Sequence, residues 1–163
     1  MLPQQLIKVI HDSWLGEFVR SIYWMFGALE TVHFFGLCLL IGAMLLVDLR
    51  LMGVIKRGSL REVLQFTHIA IVGFALAFLS GISFFASSPA NYNQNPLFWA
   101  KMAAVVLAGL NVAWFELVER RKVLDLPDGA DPHPDTKLVA GLSLLLWATV
   151  IVLGRFLPLL GLG

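Results

Sequence analysis

Four stretches of this chain are too long and too apolar to be ordinary water-soluble segments, and they constrain everything else. They run from about Ser21 to Met52, Leu60 to Ala86, Leu97 to Glu119 and Thr136 to Leu157. Each reaches the roughly 20 apolar residues that a helix needs to cross a bilayer, and the second carries no charge between Ile69 and Ala86. Runs of this length must be helices, because an unpaired backbone is too costly in lipid. Composition points the same way. The 163 residues are 58% hydrophobic and only 14% charged, with a mean hydropathy of +0.80, against about 25% charged residues in soluble domains. The expected class is all-α: an integral membrane four-helix bundle, one domain over residues 1–163, with no internal repeat.

The segments between the runs read as turns. "KRGS" is tight, "SSPANYNQNP" is polar and uncharged, and "LPDGADPHPD" is rich in proline, glycine and aspartate. The N-terminal stretch lacks the compact apolar core and small-residue cleavage site of a signal peptide. Leu6, Ile7, Ile10, Trp14 and Phe18 instead recur at helical spacing, which predicts an amphipathic helix over about residues 3–18, lying on the membrane surface with Trp14 at headgroup depth. Eight Lys and Arg residues fall at the end holding the first and third connections and four at the other. By the positive-inside bias, both termini are expected outside, in the periplasm of a bacterial inner-membrane protein. The net charge of +1 gives no reason to expect nucleic acid. The lone Cys38 cannot form an intrachain disulfide and reads as a small hydrophobe.

An ionisable residue inside a span is a functional hypothesis by default. His33 lies about 34 Å from the inner turn near Lys56 along its helix, and His68 only about 12 Å past that turn. The two histidines therefore sit near opposite faces, roughly 20 Å apart in depth, and cannot ligate one cofactor together. The outer level holds Glu30, His33, Lys101, Met102 and Arg155. The inner level holds Met44, Asp48, Gln65, His68, Asn111 and Ser143, with Trp147 nearby.

A neutral imidazole in an apolar bundle suits haem iron, and cations at the rim would neutralise propionates. Lys101 and Arg155 are placed for that outside, Arg50 and Arg61 inside, with Asn111 as a further inner contact. Gly27, Gly36, Gly42, Gly73, Gly81 and Gly109 would admit a flat macrocycle, or serve helix packing with no cofactor at all. Each histidine has a structural alternative: His33 pairing with Glu30, and His68 bonding a backbone carbonyl or Asn111. His11 and His133 read as solvated. Glu30 is a possible proton carrier that can orient His33 or pair with Arg155. Asp48 and Arg50 are expected to form an anchoring charge pair, and in "FELVERRK" Glu116 and Glu119 can pair with Arg120 and Lys122. Glu30-x-x-His33 occurs once, which argues against the doubled motif of di-iron bundles. Motifs for nucleotide binding, nucleophilic hydrolysis and zinc are missing, so a cofactor would have to supply the chemistry.

The stretch "ETVHFFGLCLLIGAMLLVDLRLMG" resembles the first helix of a small bacterial four-helix inner-membrane family of unknown function. His33, Gly36, Gly42, Asp48, Leu49 and Arg50 carry the likeness, and His68 matches the histidine of its second helix. More remotely, the His-x-x-Gly opening resembles membrane b-type cytochromes, the membrane-type protoporphyrinogen oxidase and copper-resistance membrane proteins, which implies haem or copper. The chain departs from bis-histidine di-haem cytochromes, which need four buried histidines where this one has two.

The expected function is a membrane haem protein with two b-type haems, His33 ligating the outer and His68 the inner. It would serve transmembrane electron transfer or redox chemistry on a small molecule, with a donor and acceptor that the residues do not identify. The first alternative is a metal-handling protein or transporter with Glu30, His33, Cys38 and Met102 as copper or zinc contacts, although five scattered methionines do not form the row that Cu(I) pores use. The second is a scaffold with structural histidines. Lipid is the expected partner, together with further copies of the chain, since four helices leave much macrocycle edge uncovered.

Overall fold

The computed structural model describes residues 1–56, 58–127 and 130–160. It is an all-α bundle with no strand among those residues. Two short helices, α1 (Gln4–His11) and α2 (Trp14–Ser21), precede the long α3 (Met25–Leu51). The short α4 (Leu60–Leu64) runs through a hitch at Gln65 into α5 (Phe66–Ser87), and α6 (Pro89–Gln94) leads to α7 (Pro96–Trp114). A π-helical turn, Phe115–Glu119, joins α7 to α8 (Arg120–Leu124), and α9 (Pro134–Leu160) closes the chain. Four rods are long and apolar enough to cross a membrane: Met25–Leu51, Leu60–Ser87, Pro96–Leu124 and Pro134–Pro158. Their outer surfaces carry Phe34, Phe35, Ile71, Leu79, Val106 and Leu110, the apolar dress of a lipid-facing bundle. The chain is a multi-pass membrane protein.

The single surface helix expected at the N-terminus is two helices. Ser13 breaks it, because its hydroxyl accepts from the Gly16 amide and caps α2. Both pieces lie across the end of the bundle opposite the α3–α4 turn, the outer end in the expected orientation. Arg20 fastens them there, donating to the Ala86 and Ser87 carbonyls at the end of α5 and to the His11 carbonyl at the end of α1. Those carbonyls are the unpaired acceptors that a helix C-terminus leaves, so the cation also meets the negative pole of α5.

The inner turn between the first two spans is built from local chemistry. Gly53 adopts φ +79°, and the amides of Gly53 and Val54 donate back to the carbonyls of Arg50 and Leu49. This is a Schellman closure, in which glycine takes the left-handed position that a Cβ would penalise. At the far side Ser59 and Glu62 cap α4 reciprocally. Arg50 ties the two ends, its Nε donating to the Gly58 carbonyl at 3.1 Å.

Helix α3 is the hub, packing on α5 along its length and on α9; α7 pairs mainly with α9. Where α3 and α5 cross, the backbones touch at two glycines. A Cβ on Gly36 would lie 2.7 Å from the Ala77 amide nitrogen, and one on Gly73 would lie 2.5 Å from that of Leu40. Small residues let membrane helices approach this closely, and dispersion is collected over the whole crossing. Gly27, Gly42 and Gly109 differ, since a Cβ there meets nothing within 4 Å. The central core joins Leu40, Met44, Ala70, Ala104, Ala108 and Trp147. A second cluster, including Val47, Leu51, Val63, Phe115 and Val123, packs the inner end.

Candidate functional site

At the outer level the α3–α5 crossing sets the site. His33 stands one turn outward from Gly36, and its Nδ1 lies 2.8 Å from the Ser80 hydroxyl of α5. Ser80 has one proton, and its oxygen lies 2.7 Å from the Leu76 carbonyl and 3.1 Å from that of Ala77. With that proton given to its own helix, the Ser80 oxygen accepts from His33 Nδ1–H. The neutral ring then carries its lone pair on Nε2, which has no protein hydrogen-bond partner among the described residues. Phe84 presents its ring to the imidazole edge at 5.5 Å between centroids, and Gly81 keeps the space beside Cε1 open, with a Cβ there 3.8 Å away. The ring is half-buried.

Helix rise places the other outer residues in this layer. His33 is about 12 Å in from the start of α3 and Lys101 about 8 Å in from the start of α7. Lys101 lies along Gly154 of α9, where a Cβ would come within 3.5 Å of Nζ, and it makes no ion pair among the described residues. Arg155 follows Gly154 and is exposed, as is Glu30. Glu30 pairs with neither His33 nor Arg155; Ser80 supplies the orienting contact instead. The Glu30 carboxylate lies near the half-buried phenol of Tyr92 on α6, which burial first, and then that charge, push above its ordinary value. Tyr92 itself belongs to an aromatic cluster with Phe85 and Phe98 that bridges α5 and α7 at the outer end. Asn93 and Asn95 tie this end together, bonding Leu2 and the Leu157 carbonyl.

The inner level is assembled only in part. Asp48, Asn111, Ser143 and Met44 come together around a cavity of about 20 Å³, which also meets Thr67 and Glu116. That is room for one water and no larger group. Asn111 holds the Val139 carbonyl at 3.2 Å. His68 does not join them. It is exposed, and its Nδ1 lies 3.2 Å from the Gln65 carbonyl. Arg61 is exposed as well, while Arg50 is spent on its turn. The expected Asp48–Arg50 charge pair does not form, because side chains two apart on a helix point away from each other. The pairs expected in "FELVERRK" do form: Glu116 with Arg120, and Glu119 with Lys122 at 2.7 Å. Sequence reasoning missed the partner that buries Glu119. The π turn brings its carboxylate to the Thr136 hydroxyl of α9 at 2.6 Å. Among the described residues no three His, Cys, Asp or Glu side chains gather as a metal group, so Glu30, His33 and the exposed Cys38 do not share one centre.

A family profile matches residues 8–160, nearly the whole chain, under the description Family of unknown function (DUF6644). The chain belongs to this family. No curated protein and no solved structure matches it. The DUF6644 match takes in all four spans with His33 and His68, so His33 with its Ser80 contact and the Asp48 cavity both lie within the family's own extent. The match carries no likeness to cytochromes.

Proposed function

We propose that this protein of the bacterial inner membrane holds a b-type haem near its outer face, with His33 as axial ligand. One observation carries the reading: the Ser80 oxygen lies 2.8 Å from His33 Nδ1 and Nε2 has no hydrogen-bond partner among the described residues, in a ring braced by Phe84 inside a membrane bundle. Ligating histidines almost always have their second nitrogen fixed in this way. Lys101, half-buried and without a carboxylate partner among the described residues, and Arg155 would supply the cations that propionates require. Open space beside Gly81 leaves the ring edge approachable. Glu30, next to Tyr92 at the outer mouth, is the candidate proton carrier. A haem bound there would supply one-electron chemistry and a sixth position for a small molecule. The excess of Lys and Arg at the opposite end supports an orientation with both termini outside. His68 stands apart from this reading, because its ring faces away from the inner cluster.

The test is the absorbance of detergent-purified protein from cells supplied with haem precursor, oxidised and then reduced with dithionite. The expected result is a Soret band with sharpened visible bands on reduction. The band is lost in His33→Ala and kept in His68→Ala. A colourless wild type, or a His33→Ala protein that keeps the full spectrum, overturns the proposal.

A further inference from the structure

Asp48 sits within the first span, and among the described residues no positive charge is set against it. It is 3% exposed, and among the described residues Oδ2 has no hydrogen-bond partner; the same holds for the Ser143 hydroxyl that faces it and for Trp147 Nε1 one turn further out on α9. Among the described residues, the charged groups on the elements packed around it are engaged elsewhere or turned away. On α3, Arg50 serves the Gly58 carbonyl. Beyond α7, Glu116 is paired with Arg120, and Glu119 with Lys122 and Thr136. On α9, Lys137 reaches Asp131. From α5 the cavity receives only Thr67, while His68 on α5 and Arg61 on α4 face outward. A bare carboxylate in this setting is costly. A metal cation would need a full shell of oxygens, and the walls are largely Met44, Val47, Leu51, Val112 and Phe115. A neutral carboxylic acid, by contrast, needs one acceptor for its proton and one donor for its carbonyl. The Ser143 hydroxyl and a single water in the cavity meet that need.

We propose that Asp48 is a proton-binding site of the membrane interior. Its carboxyl carries one proton at neutral pH and exchanges it with the inner aqueous face through the cavity under Glu116. Glu116 both lines that cavity and stays 30% exposed at its rim, which gives the proton a way in. Binding is one proton added to one carboxylate oxygen, with no other reactant. The site is independent of any haem at His33, and the same experiment on haem-free protein tests it.

The experiment is infrared spectroscopy of the full chain carrying ¹³C-labelled aspartate, in detergent at neutral pH. The proposal expects a protonated-carboxyl C=O band that moves on transfer to D₂O and vanishes in Asp48→Asn. Ser143→Ala should keep the band and shift it, because the carbonyl or proton loses its protein partner. Should Asp48→Asn fail to fold, the Ser143→Ala shift in folded protein assigns the band. A spectrum with only ionised aspartate at neutral pH overturns the proposal. So does a carboxylate signal that appears on adding sodium or potassium, which would make the cavity a cation site. A band that refuses to exchange in D₂O overturns the route past Glu116.

Discussion

The crossing at Gly36 and Gly73 is where packing and the outer site meet, and Gly73→Ala tests both at once. A Cβ on Gly73 would sit 2.5 Å from the Leu40 nitrogen and 2.6 Å from the Gly36 oxygen, both backbone atoms that cannot swing aside. Ordinary contact begins at 3.4 Å, so α3 and α5 must part by about 0.9 Å, the difference between 3.4 and 2.5 Å. Overpacking of this kind costs about 1–3 kcal/mol, or a loss of roughly 5- to 150-fold in the folded-to-unfolded ratio. A parting of the same size at the next turn outward would stretch the 2.8 Å His33–Ser80 contact to about 3.7 Å, past hydrogen-bond range. The assay is unfolding in detergent followed by far-ultraviolet circular dichroism, together with the ¹⁵N shifts of the His33 ring. Gly42→Ala and Gly109→Ala are the controls. A Cβ at either meets nothing within 4 Å, so both should be neutral or gain up to about 1 kcal/mol from helix propensity. A Gly73→Ala protein with wild-type stability and an unmoved His33 ring would refute the reasoning. Destabilisation by Gly42→Ala equal to that by Gly73→Ala would do the same.

Three further outcomes follow from single contacts. Ser80→Ala removes the acceptor that orients His33 and should weaken haem binding about 10- to 100-fold with little loss of helix content; unchanged affinity in a haem titration would remove Ser80 from the site. Thr136→Val takes the hydroxyl from Glu119, which is 2% exposed and bonded at 2.6 Å. The cost should be about 1–3 kcal/mol, and a chemical unfolding curve that does not move would contradict it. Burial and the Glu30 charge raise the Tyr92 phenol in the folded chain, so its contribution to stability is complete below the ordinary phenol value near 10. That contribution disappears as pH rises through the higher folded value. In a Tyr23→Phe background, which leaves one tyrosine of two, ultraviolet titration should find Tyr92 ionising late. Glu30→Gln should bring it part of the way back, and no response would remove Glu30 from the mouth of the site.

Depth in the membrane was readable from residue counts alone, and Asp48, Asn111 and Ser143 do meet at the level so assigned. Direction around each helix was the missing coordinate. The buried face of α5 is Ala70, Gly73, Ala77 and Ser80, spaced by three and four. Running that stripe one turn inward arrives at Thr67, which lines the cavity; His68, about 100° further round, faces out. The same geometry separates Asp48 from Arg50. Once Gly36 is known to lie against Gly73 and Ala77, antiparallel register carries the argument outward by one turn on each helix. On α3 that step reaches His33, and from Ala77 on α5 it reaches Ser80. The contact that orients the histidine was therefore present in the spacing, but hidden behind the question of which of six glycines touch. The π turn was not readable in this way. It adds a residue to one turn of a helix whose apolar pattern runs through unbroken, and it redirects Glu119 toward Thr136 without any glycine or proline to mark the place. Spacing still finds the partners along the helix, Glu116 with Arg120 and Glu119 with Lys122, but the direction in which Glu119 leaves the helix is set by the lost period between Phe115 and Glu119.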